Sequence, residues 1–314
     1  MEWPTAFGTA RFGPVSIGAV VLLVLLVAAA IWVARHPRLG QTLWARVRDA
    51  AVVRRVRDAA VVRRVWAWSS EQLEASEWAK ARWLPAYEAG IILLVELAVV
   101  VTLAVGFTEV LEDVLEGDGI AGIDRPAAEW LGTHRDLWLT KALLVVTAAG
   151  GPAGLAAVAV LTSGAVALWR RLWLPIVLAV AGAIGILLVV LAAKVLVVRQ
   201  RPPIPFAVIV EKGFSFPSGH AAGTAAVVLL SAWMLTRYLI TLWTPQVVVW
   251  TIAIGVTGAV GLSRVYLGVH YISDVVGGWL LGTAWAGAVI LVGRWWDHSR
   301  RARTSQTEPG EGMT

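Results

Sequence analysis

Residues 173–202 read WLPIVLAVAGAIGILLVVLAAKVLVVRQRP, and this stretch decides the fold. Residues 173–198 form an apolar run interrupted only by Lys194. A helix needs about 20 mostly apolar residues to cross a bilayer. The run therefore reads as a membrane span. An ionisable group such as Lys194 is expensive inside a span and marks a functional site by default. Lys194 and Arg201 are seven residues apart, so a continuing helix puts them on one face, and Pro202 and Pro203 then end it.

Six further apolar runs lie outward from this one, at residues 15–34, 90–107, 142–168, 221–235, 247–262 and 272–292. The fifth span of the seven, 221–235, is short and is expected to begin in the residues before it or run on toward Leu242. The composition agrees with a chain built from spans. Hydrophobic residues make up 58% of the 314 positions and charged residues 15%, with a mean hydropathy of +0.72. A soluble domain carries roughly 25% charged residues, so an ordinary soluble globule is excluded. The 18 Trp and 30 Gly fit a polytopic helical protein, because Trp favours membrane interfaces and Gly is tolerated in spans. The first run competes with a signal peptide. It exceeds the roughly 7–15 residues of a signal core and has only Arg11 before it, so a retained helix is the expectation.

Loop charge gives an orientation. Residues 35–82 hold 11 Lys/Arg against 5 Asp/Glu, whereas residues 108–141 hold 3 against 8. Arg170, Arg171, Arg237, Arg294, Arg300, Arg301 and Arg303 fall on the side of the basic stretch. The positive-inside rule places that side in the cytoplasm, the N-terminus outside and the C-terminus inside. Residues 46–54 read RVRDAAVVR, and residues 55–63 repeat it. Nine residues rotate a helix by about two and a half turns, so the copies face opposite sides. A charged helix near the lipid surface is favoured over a nucleic-acid arm. No nucleic acid is expected as a partner. With no Cys, disulfides and thiolate chemistry are excluded.

Lys194, Arg199, Arg201, Lys212 and Arg264 gather at the outer ends of spans, where orientation does not require positive charge. Three segments converge there. The first holds Lys194 and Arg201-Pro202. The second is Pro217-Ser218-Gly219-His220, with Ser218 suited to an N-cap and a helix N-terminus suited to phosphate. The third is Ser263-Arg264 followed by His270 and Asp274, four residues apart and so neighbours on a helix. A carboxylate beside an imidazole fixes its tautomer and stabilises its cation. Three cations and backbone N–H groups make a cradle for a dianion, and phosphoryl transfer needs mainly positioning and charge stabilisation. No carboxylate pair or His/carboxylate cluster of metal-ligand type stands out, so no metal and no cofactor are expected.

These segments, K-x6-RP, PSGH and SR-x5-H-x3-D, resemble the signature of the type 2 phosphatidic acid phosphatase superfamily, with every motif position filled in order. The resemblance covers roughly residues 90–292. It implies an all-α polytopic membrane bundle: a six-helix phosphatase core plus one extra N-terminal transmembrane helix. The expected division is 1–34 for the N-terminal segment and extra helix, 35–85 for a basic cytoplasmic linker, 86–296 for the core and 297–314 for a disordered cytoplasmic tail. The resemblance also implies roles. His270 is the nucleophile, Asp274 orients it, and His220 protonates the leaving group and then activates water. Lys194, Arg201, Arg264, Ser218 and the Gly219 N–H bind phosphate oxygens. The implied substrate is a lipid phosphate or polyprenyl diphosphate, approached from the membrane lipid at the extracytoplasmic face of a multi-pass membrane, with a bacterial plasma membrane expected.

Transfer to another acceptor and non-enzymatic transport of anionic lipid are the rival readings. A haloperoxidase-like use of the pocket is disfavoured by the membrane setting. The remaining features have plainer expectations. His36, His134 and His298 read as structural. Arg199 and Lys212 read as topology anchors. Asp124 and Arg125 read as a solvated loop, Glu96 as half of a structural pair, and Gly150-Gly151 with Gly154 and Gly277-Gly278 as sites of close helix packing. Trp138, Trp169, Trp173, Trp243, Trp295 and Trp296 read as interfacial belts.

Overall fold

The computed structural model describes residues 13–39, 42, 77–203 and 207–304, all of whose regular elements are helical. The nine-residue duplication lies outside the described residues. The helices are α1 (Pro14–Arg35), α2 (Glu77–Glu116), α3 (Asp124–Thr133), α4 (Leu137–Ala149), α5 (Pro152–Arg170), α6 (Leu174–Val197), α7 (Gly219–Tyr238), α8 (Trp243–Tyr266) and α9 (Ile272–Thr304), with a 3-10 turn at Gly119–Ile123 before α3. Seven of these are long and apolar enough to cross a membrane.

Burial follows composition. α7 is the least apolar span but the most buried, because Gly, Ala, Ser and Thr let neighbours approach closely. It packs against α5, α6, α8 and α9. Val166, Leu178, Val227, Leu230, Trp233 and Val289 fill the core among them. The outer helices instead expose Leu22, Leu23 and Leu25 of α1 and Leu187, Leu188 and Leu191 of α6. Those surfaces are lipid-facing in a multi-pass membrane protein. α1 lies along α8, where Trp243 Nε1 donates to Val33 O at 3.2 Å.

Side-chain contacts define the two ends of the bundle. At one, Arg170 Nε donates to Tyr238 O at 2.6 Å, and Tyr238 and Arg237 meet Asp297. At the other, Ser16 donates to Asp136, whose N–H donates to Tyr266 Oη at 2.8 Å. The basic span ends and the motif residues therefore occupy opposite ends.

Several expectations are corrected. The span expected at 142–168 is two helices, because the chain breaks at Gly150-Gly151 and Pro152 starts α5. Uninterrupted apolar sequence hides this break. The loop expected from residue 108 begins only after Glu116, since α2 carries its acidic last turns out of the apolar zone as helix. The tail expected to be disordered from residue 297 is helical through Thr304. Glu96 pairs with Arg294, Oε1 to Nε at 2.8 Å. The angle is not that of a hydrogen bond, so this is an ion pair only. His134 stacks on Trp130 at 4.5 Å and bonds its carbonyl, and His36 bonds Trp32 O, as structural histidines do. The side chain of His298 lies outside the described residues.

Candidate active site

The motif residues meet where the C-termini of α6 and α8 face the N-termini of α7 and α9. α6 does not continue to Arg201 as the seven-residue spacing implied. It ends at Val197, and Val198 adopts a left-handed conformation at φ 55°. A β-branched residue is an outlier there, at a cost of order 1–3 kcal/mol. The turn brings Arg199 and Arg201 back over the helix ends.

Ser218 caps α7, its Oγ accepting from Ala221 N at 3.5 Å, and its own N–H donates to Asp274 O at 2.9 Å. The second bond ties the α7 N-terminus to α9. The close approach needs glycine in α9, since a Cβ on Gly278 would lie 2.8 Å from Ser218 O. Ser263 is buried and donates to Val260 O at 2.6 Å, inside its own helix.

His270 precedes α9 rather than lying on it, yet still faces Asp274, Nδ1 to Oδ2 at 3.4 Å. Ser215, which sequence reasoning missed, joins the pair. Its Oγ donates to Asp274 Oδ2 at 2.5 Å and lies 3.3 Å from His270 Nδ1. Arg201 Nη1 lies 3.1 Å from His270 Nε2. A guanidinium only donates, so Nε2 is the acceptor and the ring proton sits on Nδ1, toward Ser215 and Asp274. Burial pushes the imidazole down to about 4; Asp274 opposes this, while Arg201 and Lys194 add to it. His270 is thus a neutral ring with its free lone pair toward Arg201.

The other cations are held around it. Arg201 also donates to Val269 O at 2.8 Å and Gly213 O at 3.0 Å. Lys194 Nζ donates to Phe214 O at 2.5 Å and Ser215 O at 3.1 Å. An ammonium has three donors, so one remains for a ligand. Arg264, 1% exposed, donates to Thr147 Oγ1 at 2.6 Å and to Glu211. Glu211 also faces Arg201, Oε2 to Nη1 at 3.4 Å. Burial pushes the Glu211 carboxyl up, but the charge and hydrogen bond of Arg264 outweigh it and hold the group below its ordinary value. One carboxylate therefore bridges two of the three predicted phosphate-binding cations. Its only signal in sequence is an acid on an otherwise basic loop.

His220, in the first turn of α7, is in electrostatic reach of Arg264, Glu211, His270 and Arg201. A Cβ on Gly151 would lie 3.7 Å from its Nε2, so the Gly150-Gly151 break also shapes the site. A cavity of about 320 Å³ opens beside it, lined by Leu155, Ala183, Ile186, Val190, Gly219 and His220 among others.

Two further expectations are corrected. Arg199 is not a topology anchor: it donates to Asp274 Oδ1, Ser273 Oγ and Asp124 Oδ2, each at 2.7 Å. Burial works against its charge, but Asp274 and Asp124 outweigh burial and raise its pKa. Asp124 is not solvated: it is 3% exposed at the start of α3. Among the described residues, Lys212 enters the site only through its carbonyl, which accepts from Arg201 at 3.4 Å.

The model of the PAP2 superfamily matches residues 171–297. Phosphatidylglycerophosphatase B of Bacillus subtilis (strain 168) is 37% identical over 150 residues, covering 47% of this chain and 72% of that protein. Decaprenylphosphoryl-5-phosphoribose phosphatase of Mycobacterium tuberculosis is 42% identical over 132 residues, covering 40% of this chain and 65% of that protein. The crystal structure of a transmembrane PAP2 type phosphatidylglycerolphosphate phosphatase from Bacillus subtilis superposes with a TM-score of 0.56 at 27% identity, covering 64% of this chain and 96% of that one.

Proposed function

We propose, on the premise that this chain belongs to the PAP2 superfamily, that it is a membrane phosphatase removing the terminal phosphate of a lipid phosphate or polyprenyl diphosphate through a phosphohistidine. One observation carries the reading. His270 turns Nε2 to Arg201 Nη1 at 3.1 Å and Nδ1 to Ser215 Oγ at 3.3 Å and Asp274 Oδ2 at 3.4 Å, the arrangement that suits a nucleophilic Nε2 backed by a carboxylate.

In the first step Nε2 of His270 attacks phosphorus and the bond from phosphorus to the lipid oxygen breaks. Protonated His220 gives that oxygen its proton. Asp274 stabilises the positive charge that develops on His270, as a buried carboxylate does for a catalytic imidazole. In the second step water attacks the phosphohistidine and His220 takes its proton. The P–N bond breaks, the electron pair returns to Nε2, and inorganic phosphate leaves. Arg201, Arg264, Lys194, Ser218 and the Gly219 N–H hold the equatorial oxygens, where charge stabilisation contributes most. The donors facing Glu211 are the ones a phosphate needs, so the dianion exchanges with that carboxylate. The apolar cavity beside His220 suits the lipid portion nearest the phosphate.

The site end of the bundle is opposite the basic span ends. By the positive-inside rule it faces away from the cytoplasm, with the N-terminus outside and the C-terminus inside. A bacterial plasma membrane fits this arrangement. The test is phosphate release by detergent-purified protein, with EDTA present, from phosphatidic acid, phosphatidylglycerophosphate and undecaprenyl diphosphate. Release from at least one lipid, lost in His270→Ala, is expected. Full turnover by the variant would remove His270 as nucleophile. Transfer of phosphate to an added alcohol with no release to water would instead favour the phosphotransferase.

A further inference from the structure

We propose that Asp124 and Arg199 are positioning residues for the Asp274–His270 pair, so that the segment leading into α3 sets the geometry of the nucleophile. The inference rests on the phosphatase reading above. Asp274 Oδ2 is shared by three donors: Tyr271 N at 2.8 Å, Ser215 Oγ at 2.5 Å and His270 Nδ1 at 3.4 Å. Its Oδ1 is held by Arg199. The rotation of the carboxylate about its own axis, and with it the direction of the bond to His270, is therefore fixed from the Arg199 side.

Arg199 is itself fixed. Asp124 accepts from its Nη2, and also from Ser273 N at 3.0 Å and from the Ser273 hydroxyl. Ser273 Oγ accepts in turn from Arg199 Nη1. Asp124, Arg199 and Ser273 thus close a ring of hydrogen bonds, and Asp274 joins it through Arg199. The ring joins α3, the turn after α6 and the first turn of α9. Arg199 also lies over the Tyr271 ring at 4.6 Å. The strained Val198 directly precedes it, and strain of that kind persists only where surrounding bonds overdetermine the backbone.

Charge gives the ring a second effect. Arg199 is shared between two buried carboxylates, 3% and 0% exposed. If Asp124 loses its charge, the guanidinium is neutralised by Asp274 alone, which weakens the ability of Asp274 to stabilise a charged His270. No hydrogen bond runs from Asp124 or Arg199 to His270, His220, Arg201, Lys194 or Arg264 among the described residues. Phosphate binding should therefore be spared.

The test is steady-state kinetics of Asp124→Asn, with wild type and His270→Ala alongside so that the variant is read on an enzyme of demonstrated nucleophile. The expected result is a kcat about 10–100-fold lower, the usual cost of losing a partner one shell out, with KM within about threefold. Arg199→Lys, which keeps one charge but cannot bridge both carboxylates, should lose kcat in the same pattern. Asp124→Glu should recover part of the loss, which a merely structural defect would not allow. On an Asp274→Asn background, Asp124→Asn should have almost no further effect. Unchanged kcat in folded Asp124→Asn, or the same fold-loss on both backgrounds, would overturn the proposal.

Discussion

Asp274→Asn is the substitution whose consequence the geometry specifies most fully. Asp274 accepts at both oxygens, from Arg199 on Oδ1 and from Ser215, Tyr271 N and His270 on Oδ2. An asparagine keeps the shape but replaces one acceptor with an NH2 group. Placed at the Oδ1 position, that group meets the Arg199 guanidinium donor at 2.7 Å. Placed at Oδ2, it meets the Tyr271 N–H and removes the acceptor that keeps the proton on His270 Nδ1. Arg201 then faces a competing Nε2–H tautomer, and the nucleophilic lone pair is lost from the phosphate side. A carboxylate-to-amide change behind a catalytic imidazole costs about 10⁴ in kcat in the serine protease triad. A loss of about 10³–10⁴ is expected here, or about 4–5.5 kcal/mol. KM should stay within about threefold, because Arg201, Arg264 and Lys194 keep their anchors. The assay is phosphate release from the best lipid substrate, with thermal unfolding as a check on folding. A folded Asp274→Asn variant within tenfold of wild-type kcat would refute the tautomer argument.

Glu211→Gln removes the charge that competes with phosphate for Arg201 and Arg264. Inorganic phosphate should inhibit the variant several-fold more strongly, as expected when a competing charged hydrogen bond of about 1.5–3 kcal/mol becomes a neutral one of about 0.5–1.5 kcal/mol; a higher inhibition constant would show that Glu211 supports the anion site. Burial holds His270 at about 4, below its unfolded value of about 6.5, so the unfolded chain binds the extra proton in that interval. Its contribution to stability is present above about 6.5 and is lost as pH falls toward about 4. Tm should drop across that window with a slope reduced in His270→Asn, and an unchanged slope would contradict the assignment. Gly278→Ala places a Cβ against Ser218 O and Ala221 Cβ. Overpacking of about 1–3 kcal/mol should lower Tm and reduce kcat by shifting the α7 N-terminus; an unchanged Tm would show that α7 and α9 yield easily.

Much of the fold was legible because lipid imposes length and apolarity on each span, and both are visible in sequence. The α4–α5 break was not, since Gly is common inside spans and Gly150-Gly151 sits in unbroken apolar sequence. In the site, the motif residues were legible because residue type and spacing carry the chemistry. Arg199 and Asp124 were misread because a charge at a span end looks the same whether it is solvated or locked in a ring of bonds. Their partners lie 75 residues away in sequence. Ser215 could have been noticed two residues before Pro217. Glu211 had no pattern to announce it, and only the fold brings its carboxylate to Arg264.

Trapping the covalent intermediate tests the central claim most directly. Substrate carrying ³²P in its terminal phosphate is mixed with enzyme and quenched within one turnover. The protein is then examined for acid-labile, alkali-stable label and its position. The account predicts phosphohistidine at His270 in wild type, accumulation of that label in His220→Ala with a substrate whose leaving group needs no proton, and none in His270→Ala. Rapid turnover by wild type without label on His270, or label that persists in His270→Ala, would contradict it.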